Sequence, residues 1–352
     1  MISVKFLHKK RVRILAIVGL FLAIVLLAAL VDGPFERYRA GKKALTITES
    51  TVLPIREISG IYLRNLAQND PHGYTIVSVG DEQAKINVAT VDVVNDKLIA
   101  SDIIDFTKPI VDRFGVCTSA LIPACRHNAE QLTSQWQSLN TDASGKVFLL
   151  HEEMASVVVY DAKNEEVTNV INLNAFSVEH ERVTTRSMLR AKRPTGVGEG
   201  MTLLRNGHLL ITKERNPPTI VEFGLSTEES QGYGPELSLR PDGVFALPSA
   251  RVEMVPLQRW KVQKEYSQCD ITELNTDSNG QLYFLSERCK LIGKIKGLDP
   301  THSEFEVEQT WFLPFELMSV QSFVVFASGH FLVAVDHKSE TKKNLFFLRQ
   351  QI

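Results

Sequence analysis

Along this chain, apolar positions recur in short runs divided by turns, and beyond the N-terminus no stretch keeps a helical period. With Ser138, Gly200, Glu273 and Ser322 as position zero, Gly145, Gly207, Gly280 and Gly329 fall at plus seven. Glu152, Glu214, Glu287 and Asp336 fall at plus fourteen. Two copies repeat a tetrapeptide, Leu139-Asn140-Thr141-Asp142 and Leu274-Asn275-Thr276-Asp277. A fifth, looser copy begins at Gly60, has a longer first turn ending near Gly73, and reaches Asp81 and Glu82 after the β-rich run 74–79. Each copy reads strand, glycine turn, strand, acidic turn, strand, and a fourth strand can usually be placed after the third, as in 167–173 following 157–160.

Repeated four-stranded sheets predict an all-β fold, a β-propeller. Five copies predict five blades of four antiparallel strands; residues 225–266 are long enough to hold an irregular sixth, so six is the alternative. The C-terminal run 344–348 ends at a third strand, and the extended segment 45–55 is available to complete that last blade and remove its exposed edge.

The N-terminus reads differently. Residues 14–31 form an uncharged apolar run, close to the roughly 20 residues that cross a hydrocarbon core. Lys5, Lys9, Lys10, Arg11 and Arg13 precede it, which keeps that end in the cytoplasm, while Arg37, Arg39, Lys42 and Lys43 follow it, offset in part by Asp32 and Glu36. The expected organisation is a cytoplasmic basic tail (1–13), an uncleaved transmembrane signal anchor (14–31), a stalk (32–50) and a propeller (51–352) in the periplasm of a bacterium, tethered to the inner membrane by the bilayer contact of residues 14–31. A cleaved signal peptide is the alternative, against which stand the length of the run and the lack of an A-x-A site.

Four cysteines fit an oxidising compartment. Cys269 and Cys289 flank a predicted hairpin centred near Ser278, and Cys117 with Cys125 makes the second expected disulfide; four buried thiols are the alternative. A net charge of −2 excludes a typical nucleic-acid binder. The basic segment 182–193 reads as a solvated loop.

Chain reversal between antiparallel strands puts the turn after each second strand, and the link to the next blade, on one face. The acids at plus fourteen therefore share that face with Glu57, Glu199 and Asp270, which stand at the starts of innermost strands. Two unit charges about 4 Å apart repel by about 4 kcal/mol at an effective dielectric of 20, so such a ring needs protonation, partners or a cation. Calcium suits it, taking 6 to 8 oxygen ligands with tolerant geometry. The competing reading is local: each carboxylate bonds the N–H groups of its own turn, and Lys213 and Arg215 neutralise Glu214. Asn275 to Gly280 imitates the start of an EF-hand loop, but position twelve is Ser286 and the flanks read as strands, so it is a hairpin turn. No nucleophile-elbow, zinc-protease or Walker pattern occurs; His151 and His337 adjoin acids but lack a partnered nucleophile.

The segments "EISGIYL" at Glu57, "EGMTLL" at Glu199 followed by "KERNPPTIVEF", and "DITEL" at Asp270 followed by "FLSERCKLI" resemble the SdiA-regulated, YjiK-like family of bacterial propellers over roughly residues 50–350. The resemblance implies a five-bladed, membrane-anchored propeller with a calcium site, distantly related to NHL repeats, some members being calcium-responsive or phytase-like. The family commonly carries an acid in the innermost strand of several blades; Glu199 keeps it, whereas Gln137 and Gln321 stand at two equivalent positions and lower the site's charge. Two functions follow. One is a non-catalytic module that binds calcium and an unknown periplasmic ligand or protein, through Glu199, Glu214, Glu287, Glu152 and Asp336. The alternative is a calcium-dependent phosphoester hydrolase with Lys213, Arg215 and Arg288 on the substrate. The first is preferred because only two repeats set Lys or Arg beside the acid.

Overall fold

The computed structural model describes residues 43–66, 73–114, 132–173, 198–213, 217–240, 242–326 and 328–351. The expected membrane span 14–31, Glu214, Arg215, the basic segment 182–193 and the Cys117–Cys125 pair lie outside them. Among the described residues no helix is long and apolar enough to cross a membrane.

The strands follow one another as antiparallel meanders. The first unit is β2 (Ile58–Leu66), β3 (Gly73–Gly80), β4 (Gln83–Asp92) and β5 (Lys97–Asp105), followed by helix α1 (Thr107–Phe114). The second is β6 (Trp136–Thr141), β7 (Lys146–His151), β8 (Ser156–Asp161) and β9 (Glu166–Leu173). The third is β10 (Met201–Leu203), β11 (Leu209–Lys213), β12 (Thr219–Gly224) and β13 (Arg251–Val262). The fourth is β14 (Glu273–Thr276), β15 (Leu282–Ser286), β16 (Leu291–Ile295) and β18 (Val307–Phe312), with the short β17 (Glu304–Phe305) pairing β13 instead. The last is β19 (Val320–Val325), β20 (Phe331–Val335) and β21 (Leu345–Gln350), completed by β1 (Lys43–Thr51). Residues 225–266, long enough for a further sheet, contribute β13 and two short 3-10 turns.

Composition explains why these segments stack face to face. Strand β7, KVFLLH, is apolar on both sides because each side meets a different neighbour: Val147 and Leu149 pack with Tyr62 and Ile86 of the first unit, whereas Phe148 and Leu150 pack with Met201 and Phe223 of the third. Ile61 and Val91 meet Val324 and Phe347 of the last unit, and Leu285 and Trp311 of the fourth meet Phe323 and Phe331. The core is thus distributed between neighbouring sheets, each buried Val, Leu or Phe contributing about 1.5–3 kcal/mol. Strand β5, on the outside, is mostly exposed.

The first strands of the units touch in a closed circuit: β2 with β6, β6 with β10, β10 with β14, β14 with β19, and β19 with β2. At its centre sits Glu273. Its Oε1 accepts from Ser138 Oγ at 2.9 Å and from the Leu274 amide at 2.9 Å, and its Oε2 accepts from Ser322 Oγ at 3.1 Å. Ser138 Oγ in turn accepts from the Met201 amide at 3.1 Å, and Ser322 Oγ from the Ile61 amide at 2.7 Å. Every unit therefore reaches this one carboxyl. Gly200 permits the approach, since a Cβ there would meet the Leu274 nitrogen at 2.5 Å. The all-β arrangement is consistent with a β-propeller.

The plus-seven glycines, Gly145, Gly207, Gly280 and Gly329, all have φ between 77° and 91°, the left-handed region their turns require. The EF-hand look-alike is a turn, as expected: Asp277 Oδ1 accepts from the Asn279 and Gln281 amides at 2.9 and 3.0 Å. Cys269 and Cys289 are bonded, with Cα atoms 5.3 Å apart. One boundary shifts. Strand β1 pairs with β21 from Leu45↔Gln350 to Thr51↔Leu345, so sheet structure starts inside the stretch 32–50 expected as stalk, because Leu45 packs with Trp311 and Leu348.

Candidate functional site

The residue before each position zero points to the same place. Ser59, Gln137, Glu199, Thr272 and Gln321 line one cavity of about 380 Å³, together with Glu57, Asp81, Glu82, Asp336 and Lys338. The turns explain the convergence. Asp81 and Glu82 form the reversal between β3 and β4, Asp336 follows β20, and Glu57 precedes β2. Glu57 is pinned between units, its amide donating to His337 O at 3.0 Å and its carbonyl accepting from the Asp81 amide at 2.8 Å. Its φ of 46° is a left-handed conformation that costs a non-glycine residue about 1–2 kcal/mol.

The electrostatics of this cavity are unbalanced. Glu57 is only 7% exposed. Its Oε1 lies 3.3 Å from Lys338 Nζ, and its Oε2, though buried, accepts no hydrogen bond from the described residues. Asp336 Oδ1 is in the same state. Gln137 Nε2 reaches Asp81 Oδ1 and Glu152 Oε2, each at 3.4 Å, and links those two acids. Burial and the Glu57, Glu152, Glu82 and Asp336 carboxylates push the Asp81 carboxyl up to about 7. Burial and neighbouring Glu82 hold Glu57 above its usual range, against the pull of Lys338. Burial raises Asp336 too, opposed by Lys338 and His337.

The expected site residues divide. Glu57, Glu199 and Asp336 line the cavity, and Glu152 joins it through Gln137. Asp270 is occupied locally: Oδ1 accepts from Ser286 Oγ at 2.6 Å and from the Arg288 amide at 3.0 Å. Glu287 Oε1 is held by Lys290 Nζ at 2.6 Å and by the Ser319 amide at 3.2 Å. Asp270 is thus bonded to the turn after β15, and Glu287 is held by a lysine of its own turn and an amide from the next unit. Lys213 ends β11, half-buried, and is not among the described lining residues. Sequence reasoning found the acidic turn at Asp81 and Glu82 without assigning it to the site, and it missed Lys338, whose signal was its place two residues after Asp336.

Apart from the Lys338 ammonium and the Gln137 amide nitrogen turned toward Asp81 and Glu152, the lining offers oxygen, from carboxylates, glutamine carbonyls and the Ser59 and Thr272 hydroxyls, which suits a hard cation. Two buried oxygens with no donor, Glu57 Oε2 and Asp336 Oδ1, fit that chemistry. Among the described residues no three His, Cys, Asp or Glu side chains yet converge at metal-binding spacing, so a cation would have to draw the acids inward.

A second buried polar group lies at the glycine-turn end of the third unit. His208 Nδ1 meets Glu222 Oε1 at 2.6 Å, and Nε2 meets Glu228 Oε2 at 3.1 Å. Glu222 also accepts from Ser230 Oγ and from the Gln231 and Gly232 amides. Burial alone would lower the His208 imidazole, but the Glu222 and Glu228 carboxylates outweigh it and hold it above its usual value. Burial would likewise raise Glu222, yet His208 and the other donors hold it below its ordinary range.

No protein-family model matches the sequence, and no curated protein matches it. Among solved structures, a streptogramin B lyase is similar at 11% identity and a TM-score of 0.38 over 88% of each chain. The PQQ-bound aldose sugar dehydrogenase of Streptomyces coelicolor is similar at 9% and 0.40, over 88% of this chain and 99% of that one. A calcium-binding protein, regucalcin, of Agrobacterium tumefaciens is similar at 9% and 0.39, over 88% and 94%. Values this low transfer neither ligand nor activity.

Proposed function

We propose that this chain is a five-bladed β-propeller, tethered in the inner membrane by residues 14–31 and facing the periplasm, that binds a divalent cation, calcium first, at its acidic cavity as a non-catalytic binding or calcium-response module. The family resemblance at Glu57, Glu199 and Asp270 leads to the same reading. Glu57, Asp81, Glu82 and Asp336 form the charged wall, and Gln137, Glu152, Glu199 and Gln321 complete it. The observation that carries the proposal is the pair of buried carboxylate oxygens, Glu57 Oε2 and Asp336 Oδ1, that have no donor among the described residues and face three further acids in one cavity. A carboxylate buried for structure brings its donors with it; these leave lone pairs for something to fill.

A cation that binds only the folded chain stabilises it by about 2.7 kcal/mol at a hundredfold excess over Kd. The full-length chain is therefore expected to melt higher in millimolar calcium, and Glu57→Gln with Asp81→Asn to abolish that rise. Without calcium the double variant is expected to melt no lower than the parent, because repulsion in the cavity is relieved. A parent chain whose melting temperature ignores calcium would overturn the proposal.

A further inference from the structure

The cavity already has a positive charge of its own. Lys338 Nζ sits 3.3 Å from Glu57 Oε1, with a side chain 83% exposed where that of Glu57 is 8% exposed. The ammonium therefore caps the rim and does not enter. It serves one oxygen of Glu57 and leaves the other, buried, with no donor among the described residues. The acids it faces are Glu57, Glu82 and Asp336.

We infer that Lys338 is a tethered counter-ion that a divalent cation must expel, so that this lysine sets the affinity of the site. The inference rests on the cation reading above. The first ground is charge: a cation held by Glu57 and Asp336 would sit beside the ammonium, and the two repel. A second is that expulsion is easy. An exposed lysine on one carboxylate is a weak ion pair, and a compact, strongly hydrated ammonium returns readily to water.

A further ground is that the backbone need not move. Glu57 donates its amide to His337 O at 3.0 Å, the Ser339 amide donates to His337 Nδ1 at 3.2 Å, and Arg56 Nε donates to Glu340 Oε1 at 3.0 Å. These bonds flank Lys338 on both sides and involve neither its side chain nor the cavity oxygens. The backbone can stay in place while the lysine stem swings out and the acid side chains turn inward.

Calorimetric titration of full-length parent and Lys338→Met chains with calcium chloride tests the idea. The variant is expected to bind calcium three- to fivefold more tightly and to melt lower than the parent when calcium is absent. A second measurement needs no variant. In the parent chain, acylation of the Lys338 amine, read by peptide mass mapping, is expected to quicken at saturating calcium while that of exposed Lys97 stays constant. Equal or weaker calcium binding by Lys338→Met, or an acylation rate indifferent to calcium, overturns the role of the lysine and leaves the cation reading standing. Absence of calcium heat in both chains overturns the two together.

Discussion

Two environments for buried carboxylates meet at neighbouring residues of the chain, Glu273 and Thr272, and they are built on opposite principles. Glu273 has both oxygens occupied, by hydroxyls from the second and last units and by its own strand's amide, with the Ile61 and Met201 amides bracing the hydroxyls. Thr272, next to it, already belongs to the cavity where Glu57 and Asp336 each keep an oxygen without a donor. Burial pushes the Glu273 carboxyl well above its usual range while the Leu274 amide and the two serines draw it back. At the mouth Asp81 has other acids around it, which add to the effect of burial, whereas Lys338 opposes that effect at Glu57 and, with His337, at Asp336. Three donors, two of them braced by further amides, make a fastener; acids from several directions make a vacancy for positive charge.

The largest effect is expected from emptying the fastener. Glu273→Ala orphans the Ser138 and Ser322 hydroxyls and the Leu274 amide, and at about 1–3 kcal/mol for each buried donor the loss should reach about 3–5 kcal/mol. Urea denaturation at neutral pH measures it, and a loss under about 1 kcal/mol would show that the central carboxyl is dispensable.

The His208–Glu222 pair sharpens the contrast through pH. His208 is held above its unfolded value of about 6.5, so its contribution is full below that pH and is lost as pH rises through the folded value. Glu222 is held below its unfolded value of about 4.3, so its contribution is full above that pH and is lost as pH falls through the folded value. The pair thus stabilises most between about pH 4.3 and 6.5. Melting temperatures of parent and His208→Gln chains should differ most in that window and draw together above it; a difference that stays constant with pH counts against the ion pair.

The smallest effect is expected at the mouth. Asp336→Asn without calcium should change stability by less than about 1 kcal/mol, and upward, since it removes a charge that burial and neighbouring Glu82 disfavour more than Lys338 and His337 favour it. A clear destabilisation would mean that Asp336 is a turn-bonded carboxylate like Asp270.

The sequence made the repeat legible because turn chemistry is local: a glycine with positive φ falls at plus seven in each of the four regular copies, whatever the rest of the chain does. The cavity's innermost layer was legible too, since Gln137, Glu199 and Gln321 occupy equivalent strand positions. Which acids stay unsatisfied was not. That depends on donors arriving from elsewhere in the chain, such as the Ser319 amide on Glu287 and the Lys338 ammonium on Glu57. Glu273 left a trace that could have been read: a charged residue at a position where the other copies carry Gly60, Ser138, Gly200 and Ser322.

The pairing of β1 with β21 has a consequence in time. Leu45 waits for Gln350, so the first strand made is among the last to find its place. At about 5–20 residues per second, the ribosome takes tens of seconds to deliver that partner, and until then β1 offers an open row of amides to any passing strand. Its bulge between Ile47 and Glu49 and its largely exposed, polar outer face make it a poor template during the wait. The closing contact is guarded by the character of the strand that must stay single longest.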